Sequence, residues 1–206
     1  MSHILHLDAS PRAERSISRT LSSEFMAGWK DTHPNDTVTY RDLGHQAIPH
    51  VTEAWIAAAF SSPADRTREL QEAIRLSDEL IDELLAADSY VVGLPMYNFS
   101  VPSVFKAYLD QIVRVGRTFT VDSSGYTGLV KGKKMLVITA QGGSYRPGTP
   151  TAAYNFHEPY LRAIFGLIGI TDISFIYVDG LAMGDAAREK SVAAAREEIQ
   201  TAITTW

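Results

Sequence analysis

No cysteine occurs among the 206 residues. That absence removes disulfides, an iron–sulfur cluster and any thiolate nucleophile, and with them the cysteine-based phosphatases and hydrolases. It is silent on the cellular compartment. Positive charge is not in excess: 19 Lys and Arg stand against 24 Asp and Glu, for a net charge of −5. This balance argues against nucleic acid or an anionic membrane as partner. No apolar run reaches the ~18 residues of a membrane span, and the uncharged stretch 89–105 is interrupted by Pro95, Asn98 and Pro102. No cationic leader precedes the first strand-like run, so a cytoplasmic location is expected. The six histidines are scattered, without H-E-x-x-H or a tight ligand cluster, and no metal site is expected. Neither the glycine fingerprint G-x-G-x-x-G nor the pattern G-x-x-x-x-G-K-[ST] is present.

What is present is an alternation of two periodicities. Strand-like runs at 3–7, 37–42, 90–94, 134–139 and 173–178 are separated by helical patterns at 18–30, 67–86, 102–115 and 160–169, with a last one at 185–204. In 67–86, Leu70, Ile74, Ile81 and Leu84 recur at helical spacing with charges elsewhere. Such alternation reads as βαβ units and a parallel sheet. The expectation is one domain over 1–206: an α/β, flavodoxin-like doubly wound five-stranded parallel sheet with helices on both faces. Two connections are long. Residues 44–64 have room for a short helix around 51–60, and 117–133, with Gly125, Gly128 and Gly132, read as an irregular excursion or a hairpin. After Pro102, the stripe of Val104, Phe105, Tyr108, Leu109, Ile112 and Val113 is wide enough to cover the sheet and leave apolar surface for a partner subunit.

In an open α/β sheet, ligands bind outside the carboxyl ends of the strands. Three loops fall there. The first, Asp8 to Ser18, offers the hydroxyls of Ser10, Ser16 and Ser18 where a helix begins, with Arg12, Arg15 and Arg19 adding positive charge. Helix-start N–H groups and hydroxyls can surround a phosphate without a lysine. The competing reading is that Ser16 or Ser18 merely caps the helix. The second loop is Pro95-Met96-Tyr97-Asn98-Phe99, with an aromatic wall and an amide donor, or else a turn whose aromatics belong to the core. The third is Ala140-Gln141-Gly142-Gly143-Ser144, whose paired glycines permit close backbone approach and whose Gln141 can donate to a ring carbonyl. Together the three loops describe a flavin mononucleotide (FMN) site.

At these loops the chain resembles the FMN-dependent NADH azoreductases, relatives of the NAD(P)H:quinone reductases. The likeness extends through Phe105-Lys106-Ala107-Tyr108-Leu109-Asp110, Gly128-Leu129-Val130, Gly132-Lys133-Lys134 and Leu167-Ile168-Gly169-Ile170-Thr171-Asp172. It implies that Ser10, Ser16, Ile17 and Ser18 hold the FMN phosphate. Met96, Tyr97, Asn98 and Phe99 would border the isoalloxazine, and Ala140, Gln141, Gly142 and Gly143 its pyrimidine side. It implies a homodimer with each site at the interface, and a ping-pong transfer of two electrons from NADH through flavin N5 to a quinone or azo compound. No protein nucleophile is required. One departure stands out: the family often has Ser-Arg where this chain has Ala140-Gln141.

Three other readings compete. A flavodoxin-type electron carrier would share fold and cofactor, but the long connections 44–64 and 117–133 suit a substrate pocket better. A serine esterase using Ser10 would want a late Asp-x-x-His, and only Asp42-Leu43-Gly44-His45 has that spacing, too early in the chain; G-x-S-x-G is absent too. A regulatory module would bind flavin without turnover.

Overall fold

Apolar side chains point to both faces of each central extended run, so the sheet they form must be covered twice. The computed structural model describes Met1–Trp206. In chain order its elements are β1 (His3–Asp8), α1 (Ile17–Thr32), β2 (Thr37–Asp42), α2 (Glu53–Phe60), α3 (Arg68–Ala86), β3 (Ser89–Pro95) and α4 (Ser103–Ile112). There follow β4 (Phe119–Asp122), β5 (Gly125–Gly128), β6 (Lys134–Ala140), α5 (Glu158–Ile168), β7 (Asp172–Val178) and α6 (Asp185–Thr205). Five strands form a parallel sheet in the order β2-β1-β3-β6-β7, and β4 and β5 form a separate antiparallel hairpin. The expected flavodoxin-like sheet, the short helix near 51–60 and the hairpin reading of 117–133 all agree with this.

One face of the sheet presents Ile4, Val91, Leu136, Ile138, Ile176 and Val178 to α1 and α6, which answer with Leu21, Phe25, Trp29, Ala195, Ile199 and Ile203. The other face presents Leu5, Leu7, Tyr90, Val92, Met135 and Val137 to α3, α4 and α5. Against α3 lies α2, through Trp55, Ala58 and Ile74. The α1–α6 pair is close: a Cβ on Gly28 would stand 2.4 Å from Ile203 Cδ1, and Arg196 pairs with Glu24 at 2.7 Å.

Element ends differ from expectation by local hydrogen bonding. α4 stops at Ile112 rather than 115 because Thr118 takes over the last turn, its Oγ1 donating to Ile112 O and accepting from Arg114 N. Gly169, expected as the last residue of its helix, lies just beyond α5 at φ 107, the left-handed cap that suits glycine.

The hairpin packs against that cap. Val130 N donates to Ile168 O at 2.8 Å, and a Cβ on Gly128 would stand 2.3 Å from Gly169 N and 2.4 Å from the Ile168 carbonyl carbon. Backbone cannot rotate away as a side-chain tip can. Gly128→Ala is therefore expected to destabilise the fold by about 1–3 kcal/mol, through overpacking. A urea midpoint unchanged from wild type would contradict this.

Candidate functional site

The first strand ends on a carboxyl group with no access to solvent. Asp8 is fully buried; its Oδ1 accepts from Ser22 Oγ at 2.8 Å and its Oδ2 from the Tyr40 hydroxyl at 3.0 Å. Its ladder neighbour is Gly93, where a Cβ would stand 2.1 Å from Asp8 Oδ1. Arg19, in the first turn of α1, reaches across this point. Its two terminal nitrogens donate to both Asp42 oxygens at 2.8 Å, to Ser10 O at 2.6 Å and to the Tyr40 hydroxyl at 2.6 Å. Burial would raise the Asp42 carboxyl, but the bonds from Arg19 and His45 outweigh it and hold the group at about 2. Arg19, expected among the charges facing a phosphate, is thus bound to carboxylates and to the backbone of the loop instead.

The loop fixed in this way opens onto a cavity of about 240 Å³ at the carboxyl edge of β1, β3 and β6. This is where the chain switches direction across the sheet, the position at which such folds take ligands. Nine of the twelve expected residues line it: Ser10, Ser16, Ile17, Ser18, Met96, Tyr97, Ala140, Gln141 and Gly142. Ser16 satisfies both readings given to it. It caps α1, accepting from Arg19 N at 3.4 Å, and it faces the cavity with Ser18 Oγ 3.3 Å away. The first N–H groups of a helix have no partner within it, and the first turn of α1 carries no acidic residue.

Asn98, Phe99 and Gly143 do not line the cavity. Asn98 (φ 46) and Phe99 (φ 70) are the two central residues of a tight turn closed by Tyr97 and Ser100, which exchange backbone bonds of 2.9 and 3.0 Å. Asparagine tolerates that conformation, whereas phenylalanine is strained in it by about 1–3 kcal/mol. Contacts hold Phe99 there: its ring stacks on Tyr154 at 5.1 Å and meets Tyr145 edge-on at 5.6 Å. Gly143 lies behind the cavity, its carbonyl accepting from Gly180 N at 3.2 Å.

A fourth loop, outside the three expected, completes the lining. Leu181, Ala182 and Arg188 line the cavity from beyond β7, as Arg12 and Pro95 do from loops already considered. The carboxyl-end rule, applied to the run 173–178, would have pointed to this loop. It is bonded to the loop after β6, with Leu181 N donating to Gln141 O at 3.1 Å and Ala182 N to Gly142 O at 3.0 Å. A Cβ on Gly142 would touch only Ala182, at 3.6 Å, so packing inside the chain does not require glycine there. Gln141 is 1% exposed, and neither atom of its side-chain amide has a partner. Buried amides are normally satisfied, and one left unmade costs about 1–3 kcal/mol.

His157 precedes α5, following Phe156, whose N–H donates to Phe99 O at 3.1 Å. Its ring is fully buried with both nitrogens unpartnered. Burial pushes its pKa down from 6.5 to about 4, with Glu158 opposing weakly. The unfolded chain therefore binds a proton that the folded chain refuses between those values. Stability is full above pH 6.5 and falls as pH drops toward 4, by on the order of 3 kcal/mol at ~1.4 kcal/mol per unit. Chemical denaturation across that range should show this slope, and His157→Leu should flatten it. A slope identical in the two proteins would assign it to other groups.

Comparison with known proteins places this geometry among relatives. The flavodoxin-like fold family matches residues 2–203. The chain is 64% identical, over all of both chains, to the FMN-dependent NADH:quinone oxidoreductase 2 of Trichormus variabilis. It is 42% identical to the FMN-dependent NADH:quinone oxidoreductase of Azotobacter vinelandii, over 97% of this chain and 98% of that one. The crystal structure of an azoreductase from Bacillus anthracis superposes with a TM-score of 0.92 at 30% identity, covering both chains fully. An FMN-dependent NADH-azoreductase from the same species, solved with FMN, gives 0.87 at 27% identity over 99% of this chain and 100% of that one. The chain belongs to the flavodoxin-like family of FMN-dependent NADH:quinone oxidoreductases and azoreductases.

Proposed function

We propose that the chain, as one domain over residues 1–206, is an FMN-dependent NADH:quinone oxidoreductase that also reduces azo compounds. The observation that carries this reading is a single cavity with two chemically different ends. At one end the hydroxyls of Ser10, Ser16 and Ser18 and the first amides of α1 suit a phosphate. At the other, Met96, Tyr97 and Leu181 give apolar wall, and the unpartnered Gln141 amide offers both a donor and an acceptor. A flavin pyrimidine presents the matching mixture of carbonyls and ring nitrogens. The residues therefore fit the cofactor.

FMN held there would supply two-electron transfer, from NADH through flavin N5 to a quinone or azo compound, in the ping-pong manner the resemblance implies. The chain's own task is to bind and orient. Neither a carboxylate nor a histidine lines the cavity, so a proton would come from water or from the Tyr97 hydroxyl that borders it. The cavity is smaller than the ~300 Å³ at which ligands become largely enclosed. Part of the ring would therefore lie outside, where the second substrate must reach it. Tyr97, Phe99, Tyr154 and Phe156 are exposed by 38–59%. Such a surface supports a homodimer with the site at its interface, leaving a slot for flat molecules. Reliance on NADH accords with the cytoplasmic location expected from the sequence; no helix is long and apolar enough to cross a membrane.

The decisive measurement is a visible spectrum of the FMN-reconstituted protein under anaerobic NADH, then benzoquinone. Bleaching followed by recovery is expected. Bound flavin that NADH cannot bleach would establish a carrier or sensor instead, and no flavin binding would overturn the reading. Gln141→Leu should weaken FMN binding roughly tenfold by removing a buried donor and acceptor, read by quenching of flavin fluorescence. Unaltered affinity would show that the amide faces something else.

A further inference from the structure

Two arginines that line the cavity have no counter-ion. They are Arg12 and Arg188, and neither pairs with any carboxylate, whereas Arg19 is bound to Asp42, Asp8, the Tyr40 hydroxyl and Ser10 O. Their positions follow from helix packing. Glu24 of α1 pairs with Arg196 of α6, and Gly28 faces Ile203, so the two helices run parallel along one face of the sheet. Extending that pairing toward the N-termini brings Arg188, in the first turn of α6, level with the start of α1 and its cap Ser16. The positive ends of both helix dipoles thus meet at the same edge. Asp185, also in the first turn of α6, is exposed and pairs with neither arginine.

We propose that Arg188, with Arg12, is the outer half of the FMN phosphate site and the reason the protein takes FMN rather than riboflavin. This rests on the FMN reading above. A phosphate monoester carries about −1.5 to −2 charges at neutral pH, and the serine hydroxyls and amides of the inner half carry no net charge. Two guanidinium groups supply the balance. They also present planar N–H forks that phosphate oxygens accept readily. The inner half recognises shape and hydrogen bonding; the outer half recognises charge. Riboflavin, which lacks the phosphate, would engage the ring end of the cavity and gain nothing from the arginines.

The test titrates FMN and riboflavin into the full-length chain, following flavin fluorescence, for wild type, Arg188→Gln, Arg188→Lys and Arg12→Gln at low and high salt. Arg188→Gln should weaken FMN by about tenfold, the loss of one charge-assisted contact. Riboflavin affinity should stay within about twofold, and Arg188→Lys should fall between. High salt should narrow the gap between wild type and Arg188→Gln. If FMN and riboflavin weaken in parallel, Arg188 is structural and the proposal fails; if neither changes, it fails too. If Arg188→Gln does not fold, Arg12→Gln carries the same FMN-to-riboflavin comparison. Wild type that binds neither flavin would instead overturn the FMN reading itself.

Discussion

The rest of the site depends on one guanidinium group. Arg19 joins the end of β1 to the end of β2, through Asp42 and the Tyr40 hydroxyl, and it holds the backbone of the first loop through Ser10 O. Around it the chain leaves no slack. A Cβ on Gly44 would stand 2.2 Å from Ser10 O, and Leu43 N and Gly44 N both donate to Asp8 O. Removing one partner of such a buried set strands the others, which costs far more than a surface pair contributes. The loop that carries Ser10, Arg12 and Ser16 is therefore positioned from beneath, by groups that never touch a ligand. That is how a loop of eight residues between β1 and α1 can present hydroxyls with the precision of a helix.

The other side of the cavity is fixed by different means. The loops after β6 and β7 are bonded to each other by three backbone hydrogen bonds, from Gly180, Leu181 and Ala182 to Gly143, Gln141 and Gly142. Below them, Ser144 and Arg146 both donate to Asp179, and Arg146 lies over the Tyr177 ring at 4.6 Å. The tight turn at Asn98 and Phe99 is held by aromatic contacts rather than by hydrogen bonds from its side chains. Rigid strands end in loops that stabilise one another, so the Gln141 amide can remain poised and unpartnered without collapsing onto a neighbour.

The sequence reveals those parts of the molecule that depend on neighbours in the chain, and conceals those that depend on neighbours in space. Periodicity locates all five sheet strands to within a residue at either end, because apolar alternation and helical spacing are local properties. The serine loop, Met96, Tyr97 and Gln141 are legible for the same reason: each follows a strand that can be recognised by itself. Arg19 is misread because its partners, Asp42 and Tyr40, lie more than twenty residues away, and nothing in the Arg12–Arg19 cluster says which arginine faces inward. Phe99 and Gly143 are assigned to the cavity on adjacency alone, yet a two-residue turn directs Phe99 to Tyr154, and backbone pairing places Gly143 behind Gln141. Arg188 is invisible for the opposite reason. It reaches the site only because α6 lies parallel to α1, a relationship between elements some 170 residues apart.

Electrostatics tie these observations together. A chain of net charge −5 offers an anionic cofactor no general attraction, so binding has to come from local placement, over distances within the ~8 Å screening length of physiological salt. Two carboxyl groups, Asp8 and Asp42, end β1 and β2 next to the serine loop, and left alone they would oppose a phosphate. Arg19 answers both, at 3.7 Å and 2.8 Å. One guanidinium offsets one of those two charges, so the helix termini and the unpaired Arg12 and Arg188 must supply the remaining positive field at the cavity. Arg19, bound to carboxylates and loop backbone, thus serves anion binding indirectly: it halves the negative charge of the acids that hold the loop in shape.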